Sequence, residues 1–194
     1  MIETTKKSND VNELLTSKIY WLNQLSDELP ETNIIPDYVR PVVYSGRNKL
    51  ITFELPEQVS QAIIKFANNS YWSIYLVLVS SLYLLVQKYT GNNDIIVGIP
   101  IYQTEGIENL SNKTLPLRVK VTKDLTFKNL LIRVKDTILN AYTHQDYPLN
   151  ELFNLLNIPK SNNRNQIYDI VIILENIHNQ NYSLDINNDL TISF

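Results

Sequence analysis

Cysteine is absent from this chain. Disulfides, thiol nucleophiles and cysteine-ligated metals are therefore excluded. The absence fits a reducing compartment, and a cytoplasmic location is the expectation. No Lys/Arg-rich run occurs, and the net charge is −3. That argues against nucleic acid as the main partner. A glycine-rich phosphate loop is missing. So is the Gly-x-Ser-x-Gly turn that presents a nucleophilic serine. Residues 1–10 are polar and lack the apolar core of a signal peptide. The apolar stretch over 71–86 falls short of the ~20 residues a bilayer needs. Asn68, Asn69 and Asn93 flank it where membrane anchors would stand. Histidine is scarce: His144 and His178 are the only two.

What remains is a chain of 194 residues, 44% hydrophobic and 19% charged. That balance describes a globular core, either one large domain or part of a bigger one. The most informative segment is Tyr89-Thr90-Gly91 through Gly98-Ile99-Pro100. Upstream, residues 72–87 are apolar nearly all round, with Ser73, Ser80 and Ser81 the main exceptions, which predicts a helix inside a larger body. Gly91 is placed to end it with a positive φ. Downstream, Ile95, Ile96 and Val97 predict a strand covered on both faces. Gly98 and Pro100 stop it.

Elsewhere the periodicities predict further elements. Residues 11–29 read as an amphipathic helix capped by Asp10, with Leu14, Leu15, Ile19, Leu22 and Leu25 on one stripe, Trp21 beside it, and Pro30 ending it. Residues 31–48, with Pro36 and Pro41, read as an ordered linker or long surface loop. Residues 50–55 alternate as a strand. Pro56 then opens a helix to about Asn68, with Val59, Ile63 and Phe66 inward. After a polar stretch over 101–112 comes a strand over 114–121, with Pro116 at an edge or irregularity. A strong amphipathic helix starts at 124–126 and carries Phe127, Leu130, Leu131, Val134, Ile138 and Leu139. A short helix follows Pro148. Residues 161–165 form a polar loop, 168–174 a buried strand, 176–188 a polar stretch, and 190–194 the start of another strand. The fold class is α/β, a mixed sheet flanked by helices.

Candidate chemistry is sparse. His144 near a helix end reads as a capping histidine whose cation complements the helix dipole. The alternative makes it a general base oriented by Asp146, although residues two apart point in different directions. His178 reads as a solvated loop residue. Glu175, just past a strand, reads as a surface group or a strand-end carboxylate. Tyr71 and Trp72 read as a helix anchor or a stacking platform.

Four segments together resemble a known family. They are Tyr20-Trp21-Leu22 with Leu25, Leu29-Pro30 and Arg40-Pro41; the stretch from Tyr89-Thr90-Gly91 to Gly98-Ile99-Pro100; Thr114-Leu115-Pro116-Leu117-Arg118; and His144-Gln145-Asp146-Tyr147-Pro148. Arg164-Asn165 before Tyr168-Asp169 is a weaker fifth. In order and spacing they resemble the condensation domains of nonribosomal peptide synthetases, roughly the second half of such a domain. The resemblance implies a chloramphenicol acetyltransferase-like half-domain. Residues 1–48 would be a leading helix and Pro-containing linker, and 49–194 an incomplete C-terminal lobe. It implies amide formation between carrier-bound thioesters, with peptidyl or acyl carrier protein domains, the N-terminal half of the domain and an adjacent adenylation domain as partners. No cofactor would be bound directly; phosphopantetheine arms would come from the carriers. Gly98, Pro100, Lys113 and Thr114 would be substrate-binding.

The departures are informative. The family signature His-His-x-x-x-Asp-Gly is absent, so no catalytic residue is assigned. Asn112-Lys113-Thr114 stands where Val-Asn-Thr is usual, Ile101-Tyr102-Gln103-Thr104 lacks the usual arginine, and Leu149-Asn150 replaces Phe and Glu. Two other readings stay open. One is a non-catalytic interaction or scaffold module. The other is a small acyltransferase using His144.

Overall fold

The structure is a computed structural model and describes residues 2–30, 38–44, 46–102, 112–178 and 188–194, with side chains from residue 12 onward. Pro36, Gln103, Thr104 and most of the expected polar stretches over 101–112 and 176–188 lie outside the described residues. The elements run α1 (Ile2–Leu25), α2 (Glu57–Phe66), α3 (Tyr71–Thr90), β1 (Asp94–Pro100), β2 (Thr114–Lys120), α4 (Phe127–Thr143), α5 (Leu149–Leu155), β3 (Ile170–Ile173) and β4 (Leu190–Ser193).

The strands form one mixed sheet in the order β2-β1-β3-β4. β1 and β2 are antiparallel, while β3 runs parallel to both β1 and β4. Ile95 to Pro100 are all buried, so β1 is covered on both faces as its β-branched run predicts. β2 is an edge strand, which is where Pro116 does least harm to a ladder. β4 is the opposite edge, and its residues are mostly exposed.

α3 is the core helix. Ser70 caps its start by accepting the Ser73 N–H at 3.4 Å, and Gly91 ends it at φ +76°. It is long and apolar enough to cross a membrane by composition, and half of it is buried inside this fold. Two tyrosines on it reach the sheet. Tyr75 Oη donates to Ile172 O at 3.2 Å, and Tyr83 Oη donates to Leu117 O at 2.7 Å. Ser80 is buried and bonds back to Leu76 O at 2.7 Å, which is how an apolar helix tolerates it. The expectation that residues 72–87 lie wholly inside a larger body is corrected, because Leu85 is exposed. α4 lies beside α3, buries Leu130, Val134 and Ile138, and is capped by Thr126.

Other expectations need correction. Asp10 is not an N-cap, since α1 begins at Ile2 and runs through it; the helix also stops at Leu25, before Pro30. Its stripe is only half used. Trp21 and Leu25 are buried, but Leu14, Leu15 and Ile19 are exposed because α1 extends past the elements that cover its C-terminal end. Residues 50–55 form no strand among the described residues. Their alternation suits a sheet, yet a strand needs a neighbouring edge for its N–H and C=O groups. Pro56 is the N-cap of α2, and of the three residues expected inward Ile63 is half-buried against the core while Val59 and Phe66 are exposed.

Candidate functional site

β1 and β2 converge where Pro100 faces Thr114 and Gly98 faces Pro116. Over this end lies the ring of Tyr168. A Cβ on Gly98 would sit 2.4 Å from Tyr168 Cε2, so only glycine lets the ring lie flat on the strand. Tyr168 Oη is hydrogen-bonded to Thr114 Oγ1. Burial pushes the Tyr168 phenol up to about 12. Beside the ring opens a cleft of about 280 Å³, walled by Lys113, Thr114, Pro116, Asn150, Phe153 and Tyr168 among others. Of the four residues expected to bind substrate, Lys113 and Thr114 line this cleft. Gly98 lies behind the Tyr168 ring, and Pro100 is paired with Thr114 in the strand behind it.

Two amide side chains hold the mouth of this hairpin, and neither was among the expected site residues. Gln145 Oε1 accepts the Tyr102 N–H at 2.9 Å, and its Nε2 donates to Tyr102 O at 3.0 Å. Asn112 Nδ2 donates to both Gln145 O and Tyr147 O at 2.7 Å, while its Oδ1 accepts the Leu149 N–H at 3.1 Å. Both side chains belong to buried residues. The Gln145 position was visible inside the His-Gln-Asp segment; the bond pattern of Asn112 was not.

His144 is the C-cap of α4, as the capping reading holds. Its work differs from that reading, however. Nδ1 is 2.9 Å from Ser17 Oγ, the ring lies 4.5 Å from that of Tyr20, and its carbonyl accepts Trp21 Nε1–H at 2.8 Å. Burial lowers its pKa, which favours neutral imidazole over a dipole-complementing cation. Asp146 does not orient Nδ1, since Ser17 takes that place. Serine and histidine at this distance resemble a nucleophile and its base. Yet Ser17 sits inside α1, where backbone N–H groups are spent on the helix and offer no oxyanion donors. The pair works as a strut between α1 and α4.

His178 is buried, which corrects its reading as a solvated residue. Its Nδ1 lies 3.1 Å from the Leu174 nitrogen and 3.2 Å from the Leu174 oxygen, and its Nε2 lies 3.1 Å from Tyr142 Oη. Its ring meets Tyr75 edge-on at 4.7 Å. Burial drives its pKa down to about 4. Glu175 is exposed; its N–H donates to Phe194 O at 2.9 Å and its carboxylate accepts from Ser193 Oγ at 2.9 Å, which ties β3 to β4. Trp72 is half-buried in an aromatic row, its ring centroid 6.1 Å from Tyr142, which favours the anchor reading. Tyr71 is exposed.

The remaining motif residues are structural. Arg118 pairs with Asp94 at 2.8 Å and donates to the carbonyls of Gln24 and Glu28, both at 3.0 Å, so it fastens the end of α1 to the sheet. Arg40 grips Asp189 with both guanidinium nitrogens and lies 3.9 Å from Asp169, which Arg164 meets at 2.7 Å. Burial pushes the Asp169 carboxyl up to about 6 despite these cations. Among the described residues no group of three His, Asp or Glu side chains could hold a metal.

A family model described as Condensation domain matches residues 2–193. Gramicidin S synthase 2 of Brevibacillus brevis is 32% identical over 185 residues, covering 90% of this chain and 4% of that protein. Surfactin synthase subunit 1 of Bacillus subtilis (strain 168) is 36% identical over 162 residues, covering 81% of this chain and 4% of that protein. The chain thus spans a small part of the curated relatives it matches. Among solved structures, the X-domain in a complex with OxyB from teicoplanin biosynthesis superposes with TM-score 0.71 at 20% identity, over 84% of this chain and 37% of the other. A four-domain nonribosomal peptide synthetase bound to AMP and glycine superposes with TM-score 0.68 at 20% identity, over 80% of this chain and 12% of the other. At such identity these superpositions establish the fold alone.

Proposed function

Because this chain belongs to the condensation domain family, we propose that it is the C-terminal lobe of an amide-forming condensation domain and supplies one wall of its substrate tunnel. The reaction joins two carrier-bound groups. An acceptor amine attacks a donor thioester, a C–N bond forms, the C–S bond breaks, and the thiol leaves with a proton. The observation that carries the reading is the lack of an adjacent histidine pair in a chain that otherwise follows the family's order of motifs. Both histidines it does have are engaged in holding the fold. Proton handling then falls to an N-terminal half with the His-His-x-x-x-Asp-Gly motif. A leading helix and linker over 1–48 and a C-terminal lobe over 49–194 belong to this reading, as does a cytoplasmic setting beside carrier and adenylation domains.

Gly98, Pro100, Lys113 and Thr114 are the proposed substrate-binding residues. Lys113 and Thr114 face the cleft, while Gly98 and Pro100 shape it from behind. A lysine, hydroxyls and a side-chain amide beside aromatic rings suit the amide-bearing phosphopantetheine arm of a carrier. Reconstitution tests the whole reading. The chain is mixed with a half bearing His-His-x-x-x-Asp-Gly and two loaded carriers, and amide product is expected. Alanine at the second histidine of that half should abolish it. Assembly without any product would contradict the reading.

A second reading, a non-catalytic interaction or scaffold module, draws on the uncovered apolar side chains Leu50, Ile51, Phe53 and Phe66. A neighbouring reading frame encoding the His-His half favours the split enzyme, and its absence favours the module.

A further inference from the structure

The end of the β1–β2 ladder that carries the proposed substrate residues is held by side-chain amides as well as by backbone. Val121 N–H donates to Asn93 O and Ile101 N–H to Lys113 O, so the pairs Gly98–Pro116 and Pro100–Thr114 are the non-hydrogen-bonded ones, and both prolines fit the β1–β2 ladder without costing it a bond. Just beyond the Pro100–Thr114 pair, Ile101 N–H donates to Lys113 O at 3.2 Å. Gln145 and Asn112 add side-chain bonds at the same end. One holds Tyr102 on the β1 stem; the other stands directly before Lys113 on the β2 stem. The two are joined, because Asn112 donates to the carbonyl of Gln145 itself.

We propose that Gln145 and Asn112 form an amide clamp that positions Pro100 and Thr114 at the cleft, and that both are positioning residues for the condensation reaction. The inference rests on the reading of this cleft as a substrate wall. The chemistry demands primary amides. Gln145 must accept from an N–H and donate to a C=O of the same residue, so it mimics a neighbouring strand. A carboxylate there has no donor and would face the Tyr102 carbonyl with negative charge. Asn112 must donate twice and accept once, which aspartate cannot do.

Hydrogen exchange on the full 194-residue chain tests the geometry. In Gln145→Leu and Asn112→Leu, the Ile101 amide should lose protection about tenfold relative to Val97 in the same strand. Neither substitution touches the Ile101–Lys113 bond directly. Val86→Ala, a core change near the end of α3, should lower both amides together. Gln145→Glu covers the case in which the leucine variants fail to fold. Its Ile101 protection should rise between pH 7 and pH 5.5, as the carboxyl gains a proton and becomes a donor. In the domain reconstituted with its His-His half, Gln145→Leu should raise the thioester KM about tenfold with kcat within twofold. Ile101 and Val97 moving together, or an unchanged KM, would overturn the clamp alone. A reconstituted wild type that makes no amide would overturn the reading of the cleft, and with it the clamp's role in the reaction.

Discussion

Single residues carry distinct loads in this fold. At Gly98, an alanine methyl would meet the Tyr168 ring well inside contact distance. The ring must move, and its bond to Thr114 breaks. Gly98→Ala should cost about 1–3 kcal/mol, the usual range for overpacking, read as a lower denaturant midpoint with unchanged slope; an unaltered midpoint would refute the packing. His178 and Asp169 make opposite pH predictions. His178 titrates near 4 in the fold instead of 6.5, so its contribution is full above 6.5 and is lost as pH falls toward 4. Asp169 titrates near 6 instead of 3.8, so its contribution is full below 3.8 and is lost as pH rises through 6. Between pH 4 and 6 the two oppose each other. Urea melts should show His178→Asn losing stability as pH rises across that window, and Asp169→Asn gaining it. Parallel behaviour of the two variants would contradict these assignments. Residue-scale roles were the least legible in sequence. The burial of His178 depends on Tyr75 and Tyr142 folding over it, and nothing in its polar neighbourhood signals them.

Elements were legible where local chemistry decides them. Gly91 ends α3 in the left-handed region as its position implies, and Thr126 caps α4 by accepting the Asn129 N–H at 3.2 Å. Thr126→Ala should lower stability by about 1 kcal/mol, measured by thermal melting; no change would mean that the cap is idle. The β-branched run of β1 announced a strand buried on both faces, and so it is. Elements failed where a neighbour decides them. Residues 50–55 have the alternation of a strand but meet no edge among the described residues. On the apolar face of α2 only Ile63 of the three expected residues meets the core, and Val59 and Phe66, like Leu14, Leu15 and Ile19 of the α1 stripe, stay exposed. Periodicity reports which side of an element wants burial, not whether the burying surface is present. The salt-bridge network of Arg40, Asp169, Arg164 and Asp189 joins segments more than a hundred residues apart, so only the folded chain discloses it.

At the scale of the molecule, the chain is a condensation-family fold built on one mixed sheet. The sheet has a well-covered centre in β1 and an exposed edge in β4. The cleft by Tyr168 is shaped by packing and by amides, and the two histidines are spent on struts. Orientation converts bound partners into reacting ones only when every positioned group is present. Lys113 and Thr114, marked by the resemblance, line the cleft by Tyr168, while Asn112 and Gln145 emerge only from hydrogen bonds that span the fold. The most direct measurement gives the purified 194-residue chain two carrier-bound thioesters, with no other protein, and follows the carriers by intact mass. The account predicts that both loads stay on their own carriers; the mass of a joined amide product on the acceptor would contradict it.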